Sequence, residues 1–157
     1  MGSRSNGVGM TGAAAGANQF QQLREDWRLL REAHRDLQIV WRQRTNMLLL
    51  GAPGATRIVL DMLELDVREP ILRWRPGQPL QFPPPDRTAT LILHDVDKMT
   101  CPDQHAVLRC LDQTAGKVRV VSTTVEPLWP RVQRGVFNEV LYYRLNTVCL
   151  GAPASES

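Results

Sequence analysis

Short apolar blocks, each closed by glycine, proline or charge, alternate along this chain with stretches whose apolar residues recur every three or four positions. The period therefore switches between that of a buried strand and that of an amphipathic helix. Met47–Leu50, Ile71–Trp74, residues 90–93, Val118–Thr124 and residues 145–150 read as strands. Ile71–Trp74 sits inside an irregular, proline-rich stretch over residues 67–85. Helical stretches are predicted over residues 57–65, 100–113 and 130–137. The second of these carries its own start signal: Thr100 as cap, Pro102 in the first turn and Asp103 three residues after the cap. Strands separated by helices predict an α/β fold with a parallel sheet covered on both faces, in three αβα layers.

Ahead of the sheet, residues 19–44 read as one long helix. Phe20, Leu23, Trp27, Leu30, Leu37 and Trp41 form a heptad stripe, with His34 filling its gap, while Arg24, Glu25, Arg31, Glu32, Arg35 and Asp36 lie off it. Such a stripe either docks on the chain's own sheet or meets a partner helix, which includes a second copy of the chain. Residues 1–18, rich in Gly, Ala and Ser, have little to bury and are expected to be a disordered tail. Residues 151–157 are expected to be a second loose tail. One domain over residues 19–150 remains.

Composition narrows the partners. A chain of 157 residues buries roughly 70% of the surface its unfolded form exposes, enough for one real core. The net charge of +3 arises from 19 basic residues, 17 of them Arg, against 16 acidic ones. The two signs are interleaved, so no basic stripe for direct DNA binding is indicated. No apolar run is longer than Met47–Leu50, which excludes a membrane-spanning helix. Residues 1–18 lack the apolar centre of a signal peptide. Three cysteines without a CxxC indicate neither a disulfide framework nor a zinc site, so a cytoplasmic location is expected. His94, Cys101 and His105 lie close in sequence and read as ordinary loop and helix-surface residues. Trp74 and Trp129, each beside prolines, read as rim packing or as exposed anchors for a partner.

One segment carries candidate chemistry. A strand, a Gly-rich turn and a helix in that order form the context of a phosphate-binding loop, whose amides and helix N-terminus face the anion. Against the consensus G-x-x-x-x-G-K-[ST], this chain reads Gly51-Ala52-Pro53-Gly54-Ala55-Thr56-Arg57-Ile58. The first glycine matches. Thr56 stands where glycine is usual, Arg57 keeps the charge of the lysine, and Ile58 has no oxygen for Mg²⁺. Downstream, Leu91-Ile92-Leu93-His94-Asp95-Val96-Asp97 is an apolar strand followed by acidic residues. An ATPase of this type needs a carboxylate there for Mg²⁺ and a second to orient water. Either His94 takes the first position and Asp95 the second, or Asp95 holds the metal and Val96 takes the second. Asp97 and Lys98 read as a solvated helix cap.

Residues 47–150 resemble the AAA+ domain of bacterial sigma-54-dependent transcription activators. Phe137-Asn138-Glu139-Val140-Leu141-Tyr142-Tyr143-Arg144-Leu145-Asn146 is similar to that family's F-R-E-D-L-Y-Y-R-L-N signature. Val118-Arg119-Val120-Val121-Ser122-Thr123-Thr124 resembles its sensor I strand, 91–97 its L-F-L-D-E-I-D, and 47–57 its Walker A segment. The resemblance implies a P-loop NTPase-like sheet, ATP and Mg²⁺ as ligands, and a sigma-54 factor or an AAA+ activator as partner. The departures are systematic. The Walker A lysine is Arg57, the Walker B pair is His94 and Asp95, and the sensor I asparagine falls on Val125. Of two arginines near the subunit boundary, the first is Asn138 and only Arg144 persists. Trp74-Arg75-Pro76-Gly77-Gln78-Pro79 stands in place of the G-A-F-T-G-A loop, and the chain ends before the helical lid.

Phosphoryl transfer depends on positioned charge, so several such losses together leave little hydrolysis. Three readings follow. The first is a catalytically degenerate module, a pseudo-ATPase, acting through a protein partner or homo-oligomer in transcription regulation. The second is an ATPase with non-standard motifs, in which Arg57 contacts phosphate, Asp95 serves the metal and Arg144 acts in trans. The third is a nucleotide switch without turnover.

Overall fold

The computed structural model describes Gln21, Arg35, Asp36, Gln38, Ile39 and residues 41–151. The chain divides into two units, residues 1–38 and 39–157. In the first, Gln21, Arg35, Asp36 and Gln38 are helical. The stripe residues before Trp41 and the tails over 1–18 and 152–157 lie outside the described residues.

In the second unit, β1 (Met47–Leu50), β2 (Ile71–Trp74), β3 (Ala89–Leu93), β4 (Val118–Thr124) and β5 (Val148–Gly151) form one sheet in the order β2-β3-β4-β1-β5. Every pairing is parallel. The connections are α1 (Pro53–Glu64), a 3₁₀ turn (Val96–Lys98), α2 (Cys101–Thr114), α3 (Trp129–Gln133) and α4 (Glu139–Leu145). From β1 to β2 the chain runs toward one edge, whereas from β3 to β4 and from β4 to β5 it runs toward the other. Right-handed crossovers therefore put α1 on one face and α2 and α4 on the opposite face. The core agrees. Leu48, Leu91, Leu93, Val118 and Val120 cluster with Val107 and Leu111 of α2 and Leu141 and Leu145 of α4. Met47, Leu49, Ile92 and Val121, the alternate positions, are buried on the other face, as are Val59, Leu60 and Leu63 of α1. Central strands buried on both sides read as continuous apolar runs, and β3 and β4 are buried at every position.

Most element boundaries match the apolar pattern, and the differences have local causes. The helix expected over 57–65 begins four residues earlier, because Pro53 needs no hydrogen-bond acceptor and its fixed φ suits the first helical position. The helix expected over 130–137 stops at Gln133, and Gly135 exits with φ +74°. Residues 145–150 are not one strand: Leu145 ends α4, packed beside Leu141 four positions earlier, and β5 starts at Val148. Gly151, expected in the tail, pairs with Leu50 as the end of β5. The start of α2 is as read from sequence, with the Thr100 Oγ1 accepting from the Asp103 N–H at 3.3 Å.

Candidate functional site at the carboxyl edge of the sheet

Parallel strands bring their carboxyl ends to one edge. β1 and β4 are neighbours whose following helices leave toward opposite faces, and the crevice at such a switch point is where open α/β sheets bind ligands. The candidate residues meet there. The Gly51 N–H donates to the Thr124 O at 3.0 Å, tying the end of β1 to β4. The Asp95 N–H donates to the Thr123 Oγ1 at 3.1 Å, tying the end of β3 to the same strand. Thr123 and Thr124 are buried, and Val125, at the sensor I position, is exposed.

Between β1 and α1 lie two residues, Gly51 and Ala52. Pro53 to Ile58 belong to α1, with Ala52 as an extended N-cap at φ −60° and ψ 149°. The Ala55 and Thr56 N–H groups both donate to the Ala52 O at 3.0 Å. The Thr56 hydroxyl turns back to the Pro53 O at 3.2 Å, and Thr56 is buried. Arg57 is exposed, and Ile58 is 49% exposed. Thus the eight residues of the expected loop divide into a tight turn and a regular helical start.

At the end of β3, Asp95 adopts a left-handed conformation with φ 51° and ψ 53°. That conformation costs an ordinary residue about 1–2 kcal/mol, less for Asp. Among the described residues its carboxylate makes no hydrogen bond. His94 is half-buried; its imidazole is held below its ordinary pKa by burial and then by the charge of Arg75, with Asp95 opposing, so the neutral ring is favoured. Asp97 is not a solvated cap: it is buried in the 3₁₀ turn, and its Oδ1 has no partner among the described residues, while Lys98 is exposed. No group of three or more His, Cys, Asp or Glu placed to hold a metal occurs among the described residues. Trp74 is buried, its indole N–H donating to the Gln78 O at 2.8 Å across the turn at Gly77.

Residues 137–146 form α4 and its approach. Asn138 caps α4 by accepting from the Leu141 N–H at 2.9 Å. Gln104, buried on α2, accepts from the Asn138 N–H and donates to both the Met99 O and the Val136 O. Arg144 forms an ion pair with Asp112 of α2 at 2.6 Å. Tyr142, Tyr143 and Trp129 form one aromatic cluster with ring centroids 5.3–6.3 Å apart, and Trp129 and Tyr143 remain exposed. Sequence reasoning missed Gln104 and Asn46. Asn46 accepts from the Val120 N–H and donates to the Arg144 O, both at 2.9 Å. The signal for Gln104 was its position on the same helical face as Val107, Leu111 and Thr114.

The model of the sigma-54 interaction domain family matches residues 28–154. No curated protein sequence matches the chain. Among solved structures it is similar to NtrX from Brucella abortus in complex with ADP, with a TM-score of 0.65 and 19% identity over 90% of this chain and 41% of that one. This chain therefore spans about two-fifths of NtrX's length. It is also similar to the P-loop NTPase domain of a sigma-54 activator from E. coli, with a TM-score of 0.58 and 17% identity over 80% of this chain and 94% of that one. The Drosophila ORC bound to AT-rich DNA and Cdc6 gives a TM-score of 0.56 at 13% identity, over 92% of this chain and 63% of that one. At these identities the likeness is one of fold: a parallel P-loop NTPase-type sheet of the AAA+ kind. With the matched model covering most of its length, this chain belongs to the sigma-54 interaction domain family.

Proposed function

We propose that this chain is an AAA+ module of the sigma-54 interaction family that regulates transcription through protein contacts in the cytoplasm, without hydrolysing ATP. The observation that carries this reading is the two-residue turn between β1 and α1. A phosphate cradle needs several backbone N–H groups left free and converging on the anion. Here Pro53 has no N–H, and the Ala55 and Thr56 amides are already engaged by the Ala52 O. Arg57 and Ile58 ride on the helix surface. Asp95 at the end of β3 has a neutral-favouring imidazole beside it rather than a second carboxylate.

Arg144, the candidate for a trans-acting arginine, is engaged by Asp112, which supports a structural role within its own chain. The half-exposed Trp129 and Tyr143 rings supply the rigid, amphipathic area that protein contacts use. The partner this favours is a protein: an AAA+ activator, a sigma-54 factor or a second copy of the chain. Direct DNA contact and membrane insertion form no part of this function, and no helix among the described residues is long and apolar enough to cross a membrane.

The test is phosphate release from Mg²⁺·ATP by the purified chain, alongside its melting temperature in a nucleotide series. A flat melting curve and no release are expected. Release that Asp95→Asn abolishes would overturn the reading. A raised melting temperature without release would replace it with a nucleotide switch.

A further inference from the structure

At the amino edge of the sheet, opposite the site above, Arg119 is buried within β4. Its guanidinium carbon lies 3.2 Å from the centroid of the Trp41 ring, and its Nη1 donates to the Trp41 O at 2.7 Å. Its other contacts are long: Nη2 reaches the Thr90 Oγ1 at 3.4 Å and the Glu69 Oε1 at 3.5 Å, and among the described residues the buried Nε has no partner. Glu69 is shared, since it also accepts from Arg44 Nη1 and from the Thr90 hydroxyl. Arg44 itself has φ 55°, a left-handed conformation that strains a residue with a side chain. Beside these groups opens a cavity of about 530 Å³ lined by Arg44, Arg68, Glu69, Thr88 and Arg119, among others.

A buried cation with one unpartnered N–H and two long hydrogen bonds is incompletely compensated for its lost hydration. Opening toward the adjacent cavity would return Arg119 and Glu69 to water and relax Arg44. Closing regains the stacking of Arg119 on Trp41 and the bond to its carbonyl. From this balance we infer that Trp41, Arg44, Glu69 and Arg119 form a conformational clasp, which closes residues 41–44 onto the amino edge of the sheet and opens locally while the sheet stays folded. Trp41 closes the sequence stripe that runs from Phe20. The clasp is thus the point at which residues 41–44 are fastened to the sheet or released from it.

Hydrogen exchange by mass spectrometry on the full chain tests this, comparing wild type with Glu69→Gln. The substitution keeps the shape of the side chain and removes the charge that Arg44 and Arg119 share. Exchange over residues 39–46 is expected to rise about tenfold or more, well beyond any rise in β3 and β4, with only a small fall in melting temperature. Acrylamide quenching in a Trp27→Phe, Trp129→Phe background provides a second reading, because Trp74 is buried in the sheet core. There Glu69→Gln should make Trp41 newly accessible. Faster exchange spread evenly over the whole domain with a matching fall in melting temperature would reduce the cluster to an ordinary ion pair. Unchanged exchange over residues 39–46, or unchanged quenching, would equally overturn the clasp.

Discussion

Residues 51–58 and residues 137–146 both resemble motifs of one family, yet they are built in opposite ways. The second region is tied to the rest of the domain by side chains. The Gln104 amide serves Met99, Val136 and Asn138 at once, Asn138 caps α4, and Asn46 joins Arg144 to Val120. The first region is tied by its own backbone, with its amides closed into the start of α1 and its charged side chain in solvent. Motif residues that fasten helices to the sheet can be read as structure directly. Motif residues that serve a ligand do so only if the backbone between them holds the required shape, and here that backbone is a short turn.

The sharpest way to break this contrast is Gln104→Ala. It leaves the buried Met99 carbonyl, the part-buried Val136 carbonyl and the Asn138 N–H without their partner, which costs about 2–4 kcal/mol and roughly 5–15 °C in melting temperature. A loss under about 0.5 kcal/mol would show that residues 137–146 do not depend on the amide.

Acid should act next. Burial pushes the Glu69 carboxyl up, but hydrogen bonds from Arg44 and Thr90, with the charges of Arg44 and Arg119, outweigh it and hold the group below its ordinary value of 4.5. A carboxyl with a depressed folded pKa adds stability above its unfolded pKa and loses it as pH falls through the folded value. The urea midpoint should therefore fall below about pH 5 in wild type and fall less steeply in Glu69→Gln. Parallel curves would contradict this origin. Glu64, held down chiefly by its hydrogen bonds from Arg73 against burial, adds a contribution of the same sign.

Smaller effects belong to the carboxyl edge. Asp95→Gly relieves the left-handed strain and should stabilise by about 0.5–1 kcal/mol, seen as a slightly raised melting temperature. Arg57→Ala should change stability by less than about 0.5 kcal/mol. A large loss from Arg57→Ala would mean that the exposed guanidinium has a partner role in the fold.

How legible each region was follows from the range of its interactions. β1 and β4 were read to the residue because a doubly buried parallel strand is a bounded apolar run, and the half-exposed edge strand β2 was read as a short apolar stretch between Pro70 and Pro76. The cap of α2 was read because its donor and acceptor are three residues apart. The short turn after β1 was not, since Gly51–Ile58 fits a phosphate loop by spacing while Pro53 decides where the helix begins. The amino-edge cluster was invisible for another reason: Trp41 and Arg119 are 78 residues apart. A single Arg among the valines of Val118–Val121 was the available hint, because a charge in a doubly buried strand must find partners.

Calorimetric titration of the full chain with Mg²⁺·ATP bears most directly on the central claim that the turn at Gly51 and Ala52 offers no phosphate cradle. No saturable heat is expected up to about 5 mM nucleotide, and none in a variant carrying Arg57→Lys, Ile58→Ser and His94→Asp, because side chains alone do not rebuild the loop. Saturable binding with a Kd below about 1 mM, abolished by Arg57→Ala, would contradict it.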